Sequence, residues 1–128
     1  MREILFRAKD KDNGEWVYGY YAHFETIREV LYVIYTDCVD DYSVGLLANY
    51  SDVKPETVGQ FTGLTDKNCV KVFEGDIVRI FDGEYFSGVV KYSNEQGSFT
   101  VDDTSLHYWV SDIEVIGNVH DNPELLQD

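Results

Sequence analysis

The chain has 128 residues, 44% of them hydrophobic, so it is long enough to bury one core or the cores of two small lobes. Its 24 acidic residues outnumber 10 basic ones, which gives a formal net charge of −14. We therefore expect no direct non-specific binding to nucleic acids and no binding to anionic membranes. No apolar run approaches the roughly 20 residues that span a bilayer. The first residues also lack the features of a signal peptide, so we expect a cytoplasmic protein without membrane contact.

The N-terminal segment predicts a β-hairpin. Ile4, Phe6 and Ala8 alternate with Leu5, Arg7 and Lys9. Trp16, Tyr18 and Tyr20 follow in period two, and Asn13-Gly14 between the two segments favours a tight turn. Asp10 and Asp12 precede this glycine in an arrangement that resembles a calcium loop. Since the spacing is one residue short and no acidic residue follows at the closing position, we favour the hairpin.

The next segment supports two interpretations. Phe24, Ile27 and Leu31 would share one face of a short helix over residues 24–31. The β-branched and aromatic residues at positions 30–35 instead favour a strand. The sequence leaves the boundary between these two elements open.

The C-terminal half predicts five strands separated by turns. We expect these strands at residues 77–81, 86–92, 98–101, 106–110 and 113–119. Pro55 and Pro123 are each expected to begin a short helical turn. Short strands joined by tight turns indicate a meander that closes into a small barrel. We therefore predict one mainly β domain over residues 1–128, with an N-terminal β-rich lobe (1–57) packed against a C-terminal barrel (58–128).

Several segments follow one another in a distinctive order, at residues 2–10, 16–19, 56–64, 66–68, 73–78, 88–90, 114–118 and 122–126. In this order and spacing they resemble the YopX-like family of phage and prophage proteins. The resemblance extends over nearly the whole chain and is weakest over residues 23–52. It implies a mainly β protein with an SH3-like C-terminal barrel, in the cytoplasm of a phage-infected or lysogenic bacterium. It carries over no established activity.

Two residues depart from the family pattern. Lys9 stands where the family usually has Trp, which argues against an aromatic contact at this position. Cys69 stands where the family usually has Gly, so either the turn after Asn68 differs or Cys69 tolerates a glycine-like conformation. Cys38 and Cys69 match no metal-binding spacing, and we expect both to be free thiols that pack as small apolar groups.

The sequence contains no assembled catalytic motif. A phosphate-binding loop, a nucleophile elbow and a paired metal-binding histidine motif are all missing. His23 and His120 are isolated, and His107 is expected to be a half-exposed strand residue on the same face as Trp109. We therefore predict no catalytic residue, no cofactor and no metal site.

Carboxylates are the most plentiful reactive groups. They cluster at Asp37, Asp40 and Asp41 and again at Asp102 and Asp103. Metal-dependent hydrolases use such groups, but Asp is also a common turn residue because it accepts hydrogen bonds from its own backbone. Both clusters fall in predicted loops, so we favour solvated turns.

Glu74, Gly75 and Asp76 form the principal candidate motif. In the structural interpretation, Gly75 permits a tight bend and Asp76 caps it through a backbone hydrogen bond. In the functional interpretation, the two carboxylates form a binding pair at the rim of the barrel. We favour the structural interpretation, and we add Asn118 from the matched segment at residues 114–118 as a further candidate.

Aromatic residues are abundant, with 10 Tyr, 7 Phe and 2 Trp. Tyr20-Tyr21, Tyr85-Phe86 and Tyr108-Trp109 are adjacent pairs, and adjacent residues of a strand face opposite sides. One ring of each pair should therefore point away from the local core, towards solvent, a second lobe or a partner. Since Tyr and Trp are frequent in protein interfaces, Tyr108 and Trp109 are candidate interaction residues.

The leading functional hypothesis is a non-enzymatic, intracellular protein-interaction module that forms a homo-oligomer and binds a protein partner of unknown identity. The net charge of −14 suggests, as an alternative, an acidic mimic of nucleic acid that acts on a host DNA-binding protein. The scatter of carboxylates over turns argues against a regular acidic ridge. A small carboxylate-based, metal-dependent hydrolase is a further alternative.

Overall fold

The computed structural model describes residues 3–35, 50–109 and 111–126. Over these ranges the chain is mainly β, with antiparallel sheets and short helical turns, as predicted. It divides into two compact units, residues 3–60 and residues 61–128. The division falls inside a strand, between Gln60 and Phe61, whereas the predicted lobes meet at residues 57 and 58.

The first unit contains an antiparallel sheet whose strand order is β4-β3-β2-β1, followed by the first residues of β5. Its core consists of Ala8, Ile34 and Val53. A 3₁₀ turn at Pro55–Thr57 confirms the helical turn predicted at Pro55. The strands are β1 (Phe6–Lys9), β2 (Trp16–Glu25), β3 (Val30–Tyr35), β4 (Tyr50–Asp52) and β5 (Gly59–Thr65).

The predicted Asn13-Gly14 hairpin is confirmed, because β1 and β2 pair in an antiparallel ladder on either side of this turn. Gly14 has a φ of +72°. The Asp10 carboxylate accepts hydrogen bonds from the N–H groups of Asp12 and Asn13, at 2.8 and 3.1 Å. These two bonds lower the pKa of Asp10. The acidic residue that resembled a calcium ligand therefore closes the turn.

The helix suggested over residues 24–31 is wrong. β2 continues to Glu25 and β3 begins at Val30, so that Phe24 pairs with Leu31 across a tight turn. The Thr26 hydroxyl accepts hydrogen bonds from the N–H groups of Arg28 and Glu29, at 3.2 and 3.0 Å. This local capture of the backbone by a Thr side chain competes with helix formation.

The family departure at Lys9 does not remove aromatic contact. Lys9 pairs with Trp16 in the ladder, and its Nζ lies 5.5 Å from the centroid of the Trp16 ring. The Arg7 guanidinium carbon lies 4.6 Å from the same centroid. Two cations therefore pack around one indole ring, which favours positive charge at its face.

The second unit contains the remaining residues of β5, which pair with β6, and a five-stranded antiparallel sheet of order β10-β9-β8-β7-β11. Its core consists of Val72, Val78, Ile80, Val90, Val101, Leu106 and Ile113. The strands are β6 (Lys71–Phe73), β7 (Asp76–Phe81), β8 (Tyr85–Ser93), β9 (Ser98–Val101), β10 (Thr104–Ser105) and β11 (Ile113–Asn118). Four of the five predicted strands are confirmed within this set, and closure into an SH3-like barrel stays a prediction.

The strand predicted at residues 106–110 is wrong. Leu106–Trp109 forms a single helical turn, α1, and Val110 lies outside the described residues. Residues three apart share one side of a helix, so α1 directs both Leu106 and Trp109 towards the core. His107 is an exposed residue of this helical turn and not a strand residue. A second short helix, the 3₁₀ turn Pro123–Leu126, is confirmed.

In the part of the chain that the structure describes, no helix is long and apolar enough to cross a membrane.

Candidate functional site

The candidate motif Glu74-Gly75-Asp76 forms the turn between β6 and β7. Gly75 has a φ of +90°, a conformation that favours glycine. Its N–H donates a hydrogen bond to the Val90 carbonyl at 2.8 Å, and its carbonyl accepts one from the N–H of Val119 at 3.0 Å. The predicted role of Gly75 in a tight bend is therefore confirmed, and the same residue also ties the turn to two other segments.

Asp76 is only 2% exposed. Its Oδ2 accepts a hydrogen bond from the Phe73 N–H at 2.8 Å, which closes the turn from the far side of Gly75. This is the capping bond expected from the structural interpretation of the motif. Glu74 is partly buried in the same turn.

Asn118 lies beside this turn, because it pairs with Asp76 in the β7–β11 ladder. Its Oδ1 accepts hydrogen bonds from the N–H groups of His120 and Asp121, both at 3.0 Å. The Oδ1 of Asn122 accepts a hydrogen bond from the Asn118 N–H at 3.2 Å. The structure thus brings together Glu74, Gly75, Asp76 and Asn118, and the observed bonds of Asp76 and Asn118 hold backbone turns.

Tyr108 and Trp109 lie on a different element, α1. Tyr108 is 70% exposed, and its ring meets the Trp109 ring edge-to-face with centroids 4.9 Å apart. Trp109 packs in turn against Phe86, with ring centroids 5.7 Å apart. The indole Nε1 of Trp109 is buried and finds no hydrogen-bond acceptor within the described ranges. Trp109 therefore serves the core, while Tyr108 presents its ring to solvent.

Two aromatic residues at the end of the β7–β8 hairpin, Phe81 and Tyr85, form an exposed surface, and Tyr85 is the ring of the Tyr85-Phe86 pair that points away from the core, as predicted for one ring of the pair. Phe81 and Tyr85 pair across the ladder with ring centroids 4.9 Å apart, and they are 52% and 66% exposed. The Arg79 guanidinium carbon lies 5.3 Å from the Tyr85 ring centroid. The period-two pattern of β7, with Val78 and Ile80 in the core, is the sequence signal that places Arg79 and Phe81 on the opposite face.

Glu114 on β11 completes this surface, because it pairs with Arg79 in the β7–β11 ladder. Its Oε2 lies 3.2 Å from Arg79 Nη2 and 3.4 Å from Lys67 Nζ. Hydrogen bonds from Arg79 and from Lys67 hold the pKa of Glu114 below its usual 4.5. We call Arg79, Phe81, Tyr85 and Glu114 the outer patch.

Asp66 is a second buried carboxylate that the sequence analysis missed. It is 5% exposed, and its Oδ1 accepts hydrogen bonds from the N–H groups of Asn68 and Val70, at 2.8 and 2.9 Å. Its Oδ2 accepts a third from the N–H of Val115 on β11, at 2.9 Å. Burial alone would raise the pKa of Asp66, but these three backbone donors lower it below the usual 3.8.

Cys69 lies in the turn that Asp66 holds. Its φ is +65°, so this residue tolerates the conformation for which the family uses glycine. Its side chain is exposed, so the expectation that it packs as a small apolar group is wrong. Cys38 lies outside the described residues.

The structure describes one of the two acidic clusters. Asp102 and Asp103 form the turn between β9 and β10, with φ angles of +52° and +63°, as expected of turn residues. Asp37, Asp40 and Asp41 lie outside the described residues. Within the described ranges, no group of three or more His, Cys, Asp or Glu side chains is placed to hold a metal ion.

These features define a mainly β protein in which the most distinctive motif holds turns and the exposed aromatic residues lie elsewhere. A family model described as YopX protein matches residues 5–127, so the chain belongs to the YopX family. The crystal structure of protein EF1440 from Enterococcus faecalis is similar in fold, with a TM-score of 0.65 and 24% sequence identity. That alignment covers 99% of this chain and 100% of the other. No curated protein matches the chain.

Proposed function

We propose that this chain is a non-enzymatic protein-interaction module of the bacterial cytoplasm, in a phage or prophage setting, and that it self-associates through the outer patch. The observation that carries this proposal is the exposure of Phe81 and Tyr85, which are 52% and 66% exposed although their rings contact each other. A pair of large rings exposed to water is an apolar surface that a partner would cover favourably.

The surroundings of the two rings suit an interface. The contact of Arg79 with the Tyr85 ring holds the two side chains together, which lowers the conformational entropy that binding would cost. Tyr and Arg are also enriched among the residues that dominate binding energy. Both are therefore placed where a partner could use them as anchors.

The outer patch carries both signs of charge, with Arg79 next to Glu114. A two-fold dimer needs a self-complementary surface, and two such patches can pair Arg79 of one copy with Glu114 of the other. The net charge of −14 on each copy opposes this association. Added salt screens that repulsion, so the aromatic contact should dominate at moderate ionic strength.

Light scattering of the full chain over a range of micromolar concentrations tests self-association. We expect an oligomer that shifts towards monomer in Tyr85→Ala. The matched control is Tyr20→Ala, which removes a ring that is 57% exposed in the other unit and should leave the oligomer intact. A strict monomer would overturn self-association, and an oligomer that is indifferent to Tyr85→Ala would place the interface elsewhere.

Charge reversal adds a test of the two-fold arrangement. Arg79→Glu and Glu114→Arg should each weaken the oligomer, because each places like charges together across the interface. The double variant should restore part of the association, since it exchanges the two charges of the pair but sets the new arginine beside Lys67. If the two single variants weaken association and the double variant remains as weak, the paired arrangement is wrong.

Affinity capture from a bacterial lysate addresses binding of a different protein. The wild-type chain and Tyr85→Ala are compared, with Tyr20→Ala again as the control. A partner that depends on the outer patch should be retained by the wild type and by Tyr20→Ala and lost from Tyr85→Ala. Equal retention by all three would exclude the outer patch as the surface that this partner uses.

A further inference from the structure

A groove in the first unit lies beside β3. Its volume is about 460 Å³, which is in the range of ligand sites in proteins. It is lined by Val30, Leu31 and Tyr32 together with residues 52–56, which lead from the end of β4 to the 3₁₀ turn. The groove is thus formed where β4 ends and the chain leaves the sheet.

Among the described residues, only part of the outer edge of β3 is paired at this point. β4 pairs with β3 at Val33, Ile34 and Tyr35. One further hydrogen bond runs from the Val53 N–H to the Tyr32 carbonyl, at 2.9 Å. Before Tyr32, no strand of the described residues pairs with this edge. An unpaired strand edge is a template for the addition of another strand.

The backbone of Val30 faces the open edge. On the β2 side, the Thr26 N–H donates to the Glu29 carbonyl at 2.7 Å, whereas the Tyr32 carbonyl is bonded from the opposite side by Val53. Successive residues of a strand direct their backbone groups to alternate edges. Val30, like Tyr32, therefore directs its N–H and carbonyl away from β2, and its side chain is 40% exposed.

The charges around the groove indicate what kind of segment fits it. Three exposed acidic residues line it, Glu29, Asp52 and Glu56, against the two basic residues Lys11 and Lys54. The whole chain adds a net charge of −14, which attracts cationic segments from a distance. A basic side chain on the incoming segment is therefore favoured over an acidic one.

We propose that this groove binds an extended segment of a protein partner that carries a basic side chain and that adds to β3 as a strand at Val30. Backbone hydrogen bonds to Val30 would supply affinity, and the carboxylates would select the basic residue. This site is separate from the outer patch, and it does not depend on self-association.

Selection of a displayed random-peptide library against the full chain tests the proposal. Peptides enriched on the wild type should alternate apolar and polar residues and contain Lys or Arg. They should bind Val30→Pro about tenfold more weakly, because proline removes the outward N–H and blocks approach to the edge. They should bind Val30→Thr as well as wild type, since threonine keeps the backbone donor.

The choice of Val30→Pro follows from the hydrogen bonds between β2 and β3. The Val30 N–H is not used towards β2, so proline at this position spares the β2–β3 hairpin, and a thermal melt checks this. If the variant does not fold, the amide chemical shift of Val30 in the wild-type protein is followed during titration with a synthetic enriched peptide. Absence of enriched peptides, equal binding to Val30→Pro, or an unmoved Val30 amide would each overturn the proposal.

Discussion

Two turns of the second unit make the same demands on the chain and meet them with different residues. The turn between β5 and β6 has a residue at φ +65°, and the turn between β6 and β7 has one at φ +90°. Each is held by a buried carboxylate, Asp66 in the first and Asp76 in the second. The second turn uses Gly75 at the left-handed position, and the first uses Cys69.

The comparison separates two contributions to a turn that are usually found together. A glycine removes the backbone strain of a positive φ, and a carboxylate supplies hydrogen bonds to N–H groups that the turn leaves unpaired. Asp66 bonds Asn68 and Val70 within its own turn and Val115 on β11. We infer that these three hydrogen bonds compensate for the residual strain at Cys69.

The largest effect is expected when the carboxylate of the strained turn is removed. Asp66→Ala would leave the N–H groups of Asn68, Val70 and Val115 without their acceptor. At roughly 1 kcal/mol for each bond, the free energy of unfolding should fall by about 3 kcal/mol. Denaturant unfolding measures this loss, and a loss below about 1 kcal/mol would show that water replaces the carboxylate.

The same carboxylate should make stability depend on pH in a defined direction. The pKa of Asp66 is lowered by folding, so its contribution is complete above the unfolded pKa and is lost as pH falls through the folded pKa. Asp66→Asn keeps one acceptor oxygen but turns an N–H₂ group towards the remaining backbone donor. The stability difference between wild type and Asp66→Asn should therefore narrow below about pH 4. A difference that is constant with pH would contradict the assignment.

A smaller effect is expected at the glycine of the second turn. A Cβ on Gly75 would meet only His120 Nε2 and Val119 Cγ2, both at 3.9 Å, so there is room for a methyl group. The cost of Gly75→Ala is therefore that of the backbone at φ +90°, about 1 to 2 kcal/mol. Equilibrium unfolding in urea measures it.

Three further variants sharpen that result. Gly75→Asn should recover part of the loss, because Asn tolerates positive φ better than Ala does. Glu74→Gln should leave the melting temperature nearly unchanged, and Asp76→Asn should be milder than Gly75→Ala because Asn still offers an acceptor to Phe73. A Gly75→Ala variant as stable as wild type would contradict the account of this turn.

The two turns also show what the sequence could predict. The bend at Gly75 and the cap by Asp76 were predictable, because both interactions are local and involve residues with known turn preferences. The role of Asp66 was not, since its third donor, Val115, lies 49 residues away. The place of Asn118 beside Asp76 depends in the same way on the register of the β7–β11 ladder.

The periodicity of the sequence predicted the wrong element at residues 106–109, where the patterns of a strand and of a helical turn overlap. Leu106 is buried and Tyr108 is exposed, while Trp109 packs on the core. Only this packing decides between a strand and one helical turn. The outer patch could be found from the alternation along β7, but its link to Glu114 required the ladder. The groove beside Val30 depends on where β4 ends, and strand ends are poorly defined by composition.

The smallest effect is expected when the strained turn receives the residue that the other turn already has. Cys69→Gly should stabilise the protein, because glycine adopts φ +65° without the steric cost that a side chain brings. Glycine also increases the entropy of the unfolded chain, which offsets part of the gain. We expect a net gain of about 0.5 to 1 kcal/mol. Since Cys69 is exposed, its side chain contributes little packing that would be lost.

Cys69→Ser is the matched control, because it removes the thiol and keeps the Cβ. It should leave stability unchanged, so that any gain in Cys69→Gly is attributable to the backbone. Thermal unfolding under reducing conditions compares the three proteins without interference from disulfide formation. If Cys69→Ser is stabilised as much as Cys69→Gly, the thiol and not the positive φ is the source of the cost. If Cys69→Gly is less stable than wild type, the entropy of the unfolded chain outweighs the strain, and the strain at Cys69 is then smaller than the hydrogen bonds of Asp66 would need to compensate.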